Sequence, residues 1–118
     1  MMGAATTRGV QRHVMACAKH YAGYSETQGG RDATDADHSV RKMRSLFLRP
    51  FHEAVKAGCA TLMAAYQAID GTPCSANRWL LWDVLRDEWG FEGFVVTDWD
   101  NVGRMHAQQM VCATLEQA

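Results

Sequence analysis

The sequence is poor in features that would assign it to a specialised class. Its apolar runs fall far short of the roughly 18 residues that a membrane span needs. Neither charge is in excess, since 12 lysines and arginines stand against 13 aspartates and glutamates along the chain, so a basic surface for nucleic acid or anionic lipid is not expected. We predict an ordinary globular protein with small neutral partners, which is cytosolic by default because no apolar leader opens the chain.

Patterns that bind metal are also missing. The four cysteines, at positions 17, 59, 74 and 112, form no C-x-x-C pair and have no histidine at zinc-finger spacing. We therefore expect no metal site and no cofactor. Cys17 and Cys59 stand in apolar stretches, so we predict that both are buried as small hydrophobic side chains.

Short apolar runs alternate with helical patterns, an order typical of α/β proteins with a parallel sheet. The apolar runs predict three buried strands, at residues 14–18, 60–65 and 94–97. Helical or amphipathic patterns cover residues 3–12, 40–55, 76–89 and 102–117. These make about three β/α units, whereas an eight-fold barrel needs about 250 residues. The fold class predicted is α/β, a partial (β/α)8 TIM-type barrel with no second domain in residues 1–118.

Cap and turn residues predict where the helices begin and end. Ser39 and Ser75 are the expected N-caps of the second and third helices, which Gly58 and Gly90 end. Pro50 should kink the second helix. Residues 22–37, rich in glycine, aspartate and hydroxyl side chains, have no period and are predicted to form a long binding loop.

Each predicted strand ends in a side chain suited to polar recognition. Lys19 and His20 follow the first strand, Tyr66 the second, and Asp98 and Trp99 the third. In α/β barrels the active site lies at the carboxyl ends of the strands. The sequence therefore predicts a site that contains these residues.

Four segments, in order and over nearly the whole chain, resemble glycoside hydrolase family 3. They are 18–24 (AKHYAGY), 29–32 (GGRD), 62–73 (LMAAYQAIDGTP) and 79–99, from WLL to DEWGFEGFVVTDW. The resemblance implies the amino-terminal (β/α)8 barrel domain of a retaining β-glycosidase. In such an enzyme one carboxylate attacks the anomeric carbon, and a second carboxyl group about 5–5.5 Å away protonates the leaving oxygen and then activates water.

The resemblance also implies a role for each candidate residue. Asp98 matches the nucleophile of the family, and Tyr66 matches a tyrosine beside it. Lys19, His20 and Arg31 match residues that bind hydroxyls of the first sugar. Two more candidates, Met63 as a wall of the site and Trp99 as an aromatic face for the sugar, complete the predicted set.

Each role has a structural alternative. His20 could be a satisfied structural histidine, and Met63 could serve only in packing. Trp99 could cap the barrel core, and Asp98 could cap the helix that follows. Four other aspartates are interpreted as turn and cap residues: Asp35, Asp37, Asp70 and Asp100. A solvated helix face is predicted for Asp83, Arg86, Asp87 and Glu88. The remaining histidines are given no role; they are His13, His38, His52 and His106.

Departures from the family narrow the expected activity. The branch that removes N-acetylglucosamine continues the lysine-histidine motif as Pro-Gly-His-Gly, whereas this chain has Ala22-Gly23-Tyr24-Ser25. The resemblance therefore favours β-glucosidase or β-xylosidase relatives, acting on terminal non-reducing β-linked glucose or xylose. The acid/base glutamate of those relatives comes from a later domain, and no glutamate of this chain matches it.

Three functions are compatible with these residues. The first is a fragment of a family 3 β-glycosidase that is inactive alone. The second is a non-catalytic carbohydrate-binding or partner-dependent barrel fragment that uses Lys19, His20, Arg31 and Trp99. The third, an unrelated barrel enzyme with Lys19 as a Schiff-base amine, leaves Asp98 and Trp99 unexplained. The oligomeric state is not predicted by any of them.

Overall fold

The computed structural model describes residues 2–118. Helix α1 (Met2–Val10) leads into strand β1 (Cys17–Tyr21), and a long connection leads to helix α2, residues 40–56. Strand β2 (Thr61–Ala64) is followed by the short strands β3 (Ala68–Ile69) and β4 (Thr72–Pro73). The last three elements are helix α3 (Trp79–Glu88), strand β5 (Phe94–Val96) and helix α4 (Asn101–Ala107).

The central sheet is parallel, with strand order β1-β2-β5. Ala18, Leu62 and Val95 lie in register across its three strands. Helices connect the strands, and strands β3 and β4 form a separate antiparallel pair. The α/β class with a parallel sheet is therefore confirmed.

The hydrophobic core lies between the sheet and the helices that connect its strands. Its largest fully buried side chains include Tyr21, Met43, Leu62 and Leu80. The Tyr21 hydroxyl donates to the backbone oxygen of Leu80 at 3.0 Å, so the only polar atom of this buried side chain is satisfied. Tyr21, which follows His20 directly, is thus a structural residue.

Helix α2 begins where its cap was predicted. The Ser39 hydroxyl accepts a hydrogen bond from the Lys42 amide at 3.2 Å, which satisfies one of the free amides of the first turn. The helix consists of Val40–Lys42, a π-helical segment Met43–Phe47, and Leu48–Lys56. The irregular segment thus ends just before Pro50, the residue expected to disturb the helix.

The predicted cap of α3 was wrong. Ser75 lies in a separate 3-10 turn, Cys74–Ala76, and the side-chain oxygen of Asn77 accepts from the Leu80 amide at 3.0 Å instead. Asn77 caps as well as serine does, and it stands immediately before the helix. Its burial between the turn and α3 fixes the helix start.

Two predicted boundaries also shift. Residues 11–14 continue the turn after α1, and Val14 and Met15 are exposed, so β1 begins at Cys17 where pairing with β2 starts. Lys19 and His20 therefore lie within β1 rather than after it. Helix α4 ends at Ala107, ten residues earlier than predicted, because the weak apolar pattern of residues 108–117 has no surface to cover.

The prediction for Cys17 was wrong, and that for Cys59 is confirmed. Cys59 is 5% exposed, whereas Cys17 is exposed. Successive side chains in a strand point to opposite faces, and Ala18 packs against the core. Cys17 therefore points to the face of the sheet that the helices do not cover.

The long connection between β1 and α2 is irregular but ordered. It contains two 3-10 turns, Tyr24–Glu26 and Gln28–Gly30, and Ala36 bridges to Ile69 beside β3. Gly23 has φ of 85°, and a β-carbon there would lie 2.9 Å from the Ile69 side chain, so both backbone and space require glycine. The turns hold this connection over the carboxyl end of the sheet.

No helix within residues 2–118 is long and apolar enough to cross a membrane.

Candidate functional site

The three parallel strands bring their carboxyl ends to one edge of the sheet. Lys19 and His20 lie at the end of β1, Tyr66 lies two residues after β2, and Asp98 lies two residues after β5. The Nε2 atom of His20 is 3.3 Å from Oδ2 of Asp98. Two of the predicted residues, 78 positions apart in the sequence, are therefore in direct contact.

One carboxylate oxygen of Asp98 is bound by the backbone, and the other faces the side chains of the site. Its Oδ1 accepts from the Trp99 amide at 2.7 Å, while Oδ2 faces His20. The N-cap position of α4 is occupied by Asp100, in a left-handed conformation with φ of 52°. The Asp98 carboxylate therefore does not cap α4, contrary to the structural alternative. Its side chain is 19% exposed, so it is accessible from solvent.

Tyr66 is the second predicted neighbour of Asp98. Desolvation raises the pKa of the Tyr66 phenol, and a hydrogen bond to Asp98 and the negative charge of that carboxylate raise it further. A phenol that stays protonated can donate a hydrogen bond to the Asp98 carboxylate. His20 and Tyr66 thus flank the same carboxylate.

Tyr24 and Asp32 belong to the same cluster, although sequence reasoning gave them no role. The Tyr24 ring lies 5.1 Å from the His20 ring, and its hydroxyl donates to the Asp32 carboxylate. This hydrogen bond raises the pKa of Tyr24, with smaller contributions in the same direction from Asp98 and Tyr66. The spacing of four residues between His20 and Tyr24, within the family-like segment, was the available signal.

Lys19 lines a cavity beside this cluster. The cavity has a volume of about 280 Å³ and lies between the end of β1 and helix α2. Its walls combine the polar residues of the β1 end with apolar side chains of α2; they are Lys19, His20, Gly23, Tyr24, Ser25, Leu46, Phe47, Pro50 and Phe51. Lys19 is exposed and forms no ion pair with any of residues 2–118.

The structure does not bring Arg31 to Asp98. The Arg31 backbone oxygen accepts from the hydroxyls of Thr27 and Thr34, at 2.7 and 3.0 Å, which fixes the loop at this point. Its side chain is exposed and makes no hydrogen bond within residues 2–118. Arg31 is therefore free to meet a ligand, but its predicted role rests on the sequence alone.

Met63 and Trp99 occupy different environments. Met63 is partly buried in β2, beside Val96 of β5 and on the opposite face from the core residue Leu62. Trp99 is 83% exposed in the described part of the chain. Its indole next to Asp98 offers a flat apolar surface of the kind that sugars bind.

Helix α4 supplies a further neighbour that sequence reasoning missed. The Cζ atom of Arg104 lies 4.6 Å from the centroid of the Tyr66 ring. The Asn101 side chain donates to the Ala65 backbone oxygen at 3.1 Å, and that of Gln109 to the Tyr66 backbone oxygen at 3.0 Å. No sequence pattern marks these residues, because their roles depend on α4 folding back over the end of β2.

The arrangement is an accessible carboxylate between an imidazole and a phenol, with a lysine and an indole nearby. An ionised and accessible carboxylate can act as a nucleophile or bind a polar ligand. Polyhydroxylated molecules suit its polar neighbours, since hydroxyls both donate and accept.

Comparisons with known proteins agree with this chemistry. The model of the glycosyl hydrolase family 3 N-terminal domain matches residues 1–118. A β-xylosidase from Formosa agariphila is 42% identical over 109 residues, which cover 92% of this chain and 15% of that protein. A periplasmic β-glucosidase from Salmonella typhimurium is 39% identical over 85 residues, covering 72% of this chain and 11% of that protein.

Solved structures give the same result. A β-glucosidase involved in saponin metabolism from intestinal bacteria superposes with a TM-score of 0.88 at 47% identity, over 94% of this chain and 16% of that one. β-Glucosidase 3B from Thermotoga neapolitana, in complex with glucose, superposes with a TM-score of 0.74 at 44% identity, over 81% of this chain and 14% of that one. The chain thus spans about one sixth of the length of its relatives.

Proposed function

Because this chain belongs to glycosyl hydrolase family 3, we propose that it forms part of a retaining β-glycosidase in which Asp98 is the nucleophile. The observation that carries the proposal is the position of Asp98, at the carboxyl end of a parallel sheet and between His20 and Tyr66. These neighbours can orient the carboxylate for nucleophilic attack on a bound sugar.

The proposed reaction is a double displacement. The Asp98 carboxylate attacks the anomeric carbon, the aglycone oxygen leaves with a proton, and water then hydrolyses the glycosyl ester. The acid/base is not assigned to a glutamate of this chain. Glu26, Glu53 and Glu88 are paired with Lys42, Lys56 and Arg44, which argues against a free proton-transferring role for them. Without an acid/base we expect the 118-residue chain alone to be inactive.

The sugar would lie over Asp98. Lys19, His20 and Arg31 would donate hydrogen bonds to its hydroxyls, with Met63 as a wall and Trp99 against its apolar face. Terminal, non-reducing β-linked glucose or xylose is the proposed substrate, since the relatives above are a β-xylosidase and β-glucosidases. The three-stranded sheet would then be part of a (β/α)8 barrel. The cytosolic location stays a prediction, and one relative is named a periplasmic enzyme.

A chimeric enzyme tests the proposal. This chain replaces the matching 109-residue segment of the Formosa β-xylosidase, and the product is treated with a slow 2-deoxy-2-fluoro-xyloside that traps the glycosyl ester. Peptide mapping should find the label on Asp98. The exchange Asp98→Asn should lower turnover by about 10³-fold or more.

The matched control is Asp100→Asn, an identical exchange two residues away at an exposed position. It should retain most of the activity, because Asp100 contacts α4 rather than the site. A label on any other residue overturns the assignment of Asp98. A chimera that folds and binds xylose without turnover, with Asp98 present, would support a non-catalytic carbohydrate-binding role instead.

A further inference from the structure

Three side chains of helix α4 and the residues just after it contact the chain at the end of strand β2. The side chains of Asn101 and Gln109 donate to the backbone oxygens of Ala65 and Tyr66, and Arg104 lies over the Tyr66 ring. Asn101 is 1% exposed, so the first of these contacts is fully buried. Two of the contacts hold the backbone at Ala65 and Tyr66, and the third places a cation over the Tyr66 ring.

The guanidinium of Arg104 lies over the Tyr66 ring. Its Nη1 atom donates to the Gln108 side-chain oxygen at 2.8 Å, one turn further along the chain, which orients the guanidinium. Arg104 forms no ion pair with a carboxylate among residues 2–118. A cation this close to an aromatic face is attracted by the electron-rich ring, so Tyr66 is its main electrostatic partner in the described part of the chain.

A cation over the ring changes how the phenol hydrogen-bonds. Positive charge favours the phenolate, and Arg104 accordingly acts to lower the pKa of Tyr66, against the opposite effects of desolvation, Asp98 and Asp32. A more acidic phenol is a stronger donor. A stronger donor at Tyr66 would strengthen its interaction with the Asp98 carboxylate.

We propose that Arg104 is a positioning residue that acts on Asp98 through Tyr66, because its guanidinium lies 4.6 Å from the centroid of the Tyr66 ring. It forms no ion pair with Asp98 itself. Its consequence for catalysis rests on the proposed function, whereas its electrostatic effect on Tyr66 can be measured without turnover.

The test is a spectrophotometric titration of tyrosine in the 118-residue chain, with Tyr66→Phe to assign the Tyr66 transition. Arg104→Met keeps the stem that packs on the ring and removes the charge, and Arg104→Lys keeps the charge. We expect the Tyr66 midpoint to move upward in Arg104→Met and to stay near the original in Arg104→Lys. The charged and titratable groups that face Tyr66 are Asp98, Asp32, Tyr24 and Arg104, and all except Arg104 are unchanged.

A loss of structure would give the opposite result, since a phenol released from Asp98 would titrate at lower pH. An unchanged or lowered midpoint in Arg104→Met, or equal shifts in both variants, overturns the proposal. If Arg104→Met does not fold, Gln108→Ala is titrated in its place. Loss of the hydrogen bond that orients Arg104 should then move the Tyr66 midpoint upward, by less than the shift expected for Arg104→Met. In the chimera, Arg104→Met should lower kcat roughly 2- to 5-fold with little change in KM, the rate equivalent of one exposed cation–π contact.

Discussion

Arg86 links helix α3 to the turn before strand β5, the strand that ends near Asp98. Its Nη1 atom donates to the backbone oxygens of Phe91 and Gly93, at 2.6 and 2.7 Å, and its guanidinium lies 5.0 Å from the Phe91 ring. Sequence reasoning interpreted Arg86 as part of a solvated helix face, which was wrong. The side chain is partly buried and satisfies two carbonyl groups of the turn before β5.

We predict that Arg86→Ala lowers the free energy of unfolding by about 2 kcal/mol or more, because each hydrogen bond to a charged donor contributes about 1.5–3 kcal/mol. Urea denaturation followed by circular dichroism measures the change. Arg78→Ala is the matched control: Arg78 is exposed and lies 3.6 Å from Asp83, so its loss should cost about 0.5 kcal/mol or less. Equal effects of the two substitutions would contradict the structural role of Arg86.

His52 makes stability depend on pH. It is stacked on Trp89, with ring centroids 4.8 Å apart. Burial lowers its pKa, Lys56 lowers it further, and Glu53 and Glu88 act in the opposite direction. Because the folded pKa lies below the unfolded one, the unfolded chain takes up the proton first as pH falls. Stability from His52 is therefore present above about pH 6.5, the unfolded value, and is lost as pH falls through the folded pKa.

Comparison of unfolding at pH 7.5 and 5.5 tests this effect. His52→Phe keeps the stacked ring and removes the titrating group, so the loss of stability between the two pH values should be smaller in this variant. His13→Phe changes an exposed histidine and should leave the pH dependence as it was. If both variants keep the original pH dependence, His52 is not its source.

At the level of elements, the accuracy of the sequence predictions depended on local signals. Ser39 was identified correctly because serine directly precedes the apolar period of α2. Ser75 was not the cap of α3 because an intervening turn, Cys74–Ala76, places Asn77 at the helix start. Strand β1 was misplaced because Val14 and Met15 are apolar yet exposed, and only pairing with β2 decides where the strand begins.

Gly93 allows strand β5 to approach β2 closely. A β-carbon on Gly93 would overlap the backbone oxygen of Ala60 and the Phe91 ring. Backbone cannot give way as a flexible side chain can, so Gly93→Ala should lower the free energy of unfolding by about 1–3 kcal/mol, as overpacking does. Thermal or urea denaturation measures this change.

Gly9→Ala is the matched control for Gly93→Ala. Gly9 lies in α1, where an added β-carbon would meet no atom within 4 Å. The substitution should raise stability by about 0.5–1 kcal/mol through helix propensity. Opposite signs at the two glycines are therefore expected. A neutral Gly93→Ala would mean that β5 does not pack against Ala60 as the structure has it.

At the scale of the whole molecule, topology explains which parts of the site could be predicted. A parallel sheet places the carboxyl ends of its strands at one edge, so a shared site for His20 and Asp98 was expected from the predicted parallel sheet. The roles of Asp32 and Arg104 were not, because they depend on how the long connection and α4 fold over that edge. The exposure of Arg31 and Trp99 is likewise a property of the folded chain.

The same topology leaves the edge strand β5 partly uncovered. Phe94 is 56% exposed, and it lies in register with Thr61 and Cys17 on the face opposite the core. Strand β5 pairs only with β2 within residues 2–118, so its outer backbone groups are unpaired. An apolar edge strand of this kind is a template for association with another chain.

We therefore predict that the 118-residue chain self-associates through the edge of strand β5 and that Phe94→Lys reduces the association. A lysine at an edge strand opposes pairing because burial of its charge is unfavourable. Sedimentation velocity over a range of concentrations measures the effect. Trp82→Lys is the control, since Trp82 is similarly exposed, at 51%, but lies on a helix whose backbone groups are already bonded. Reduced association with Trp82→Lys alone would place the contact on α3 and would contradict the prediction for β5.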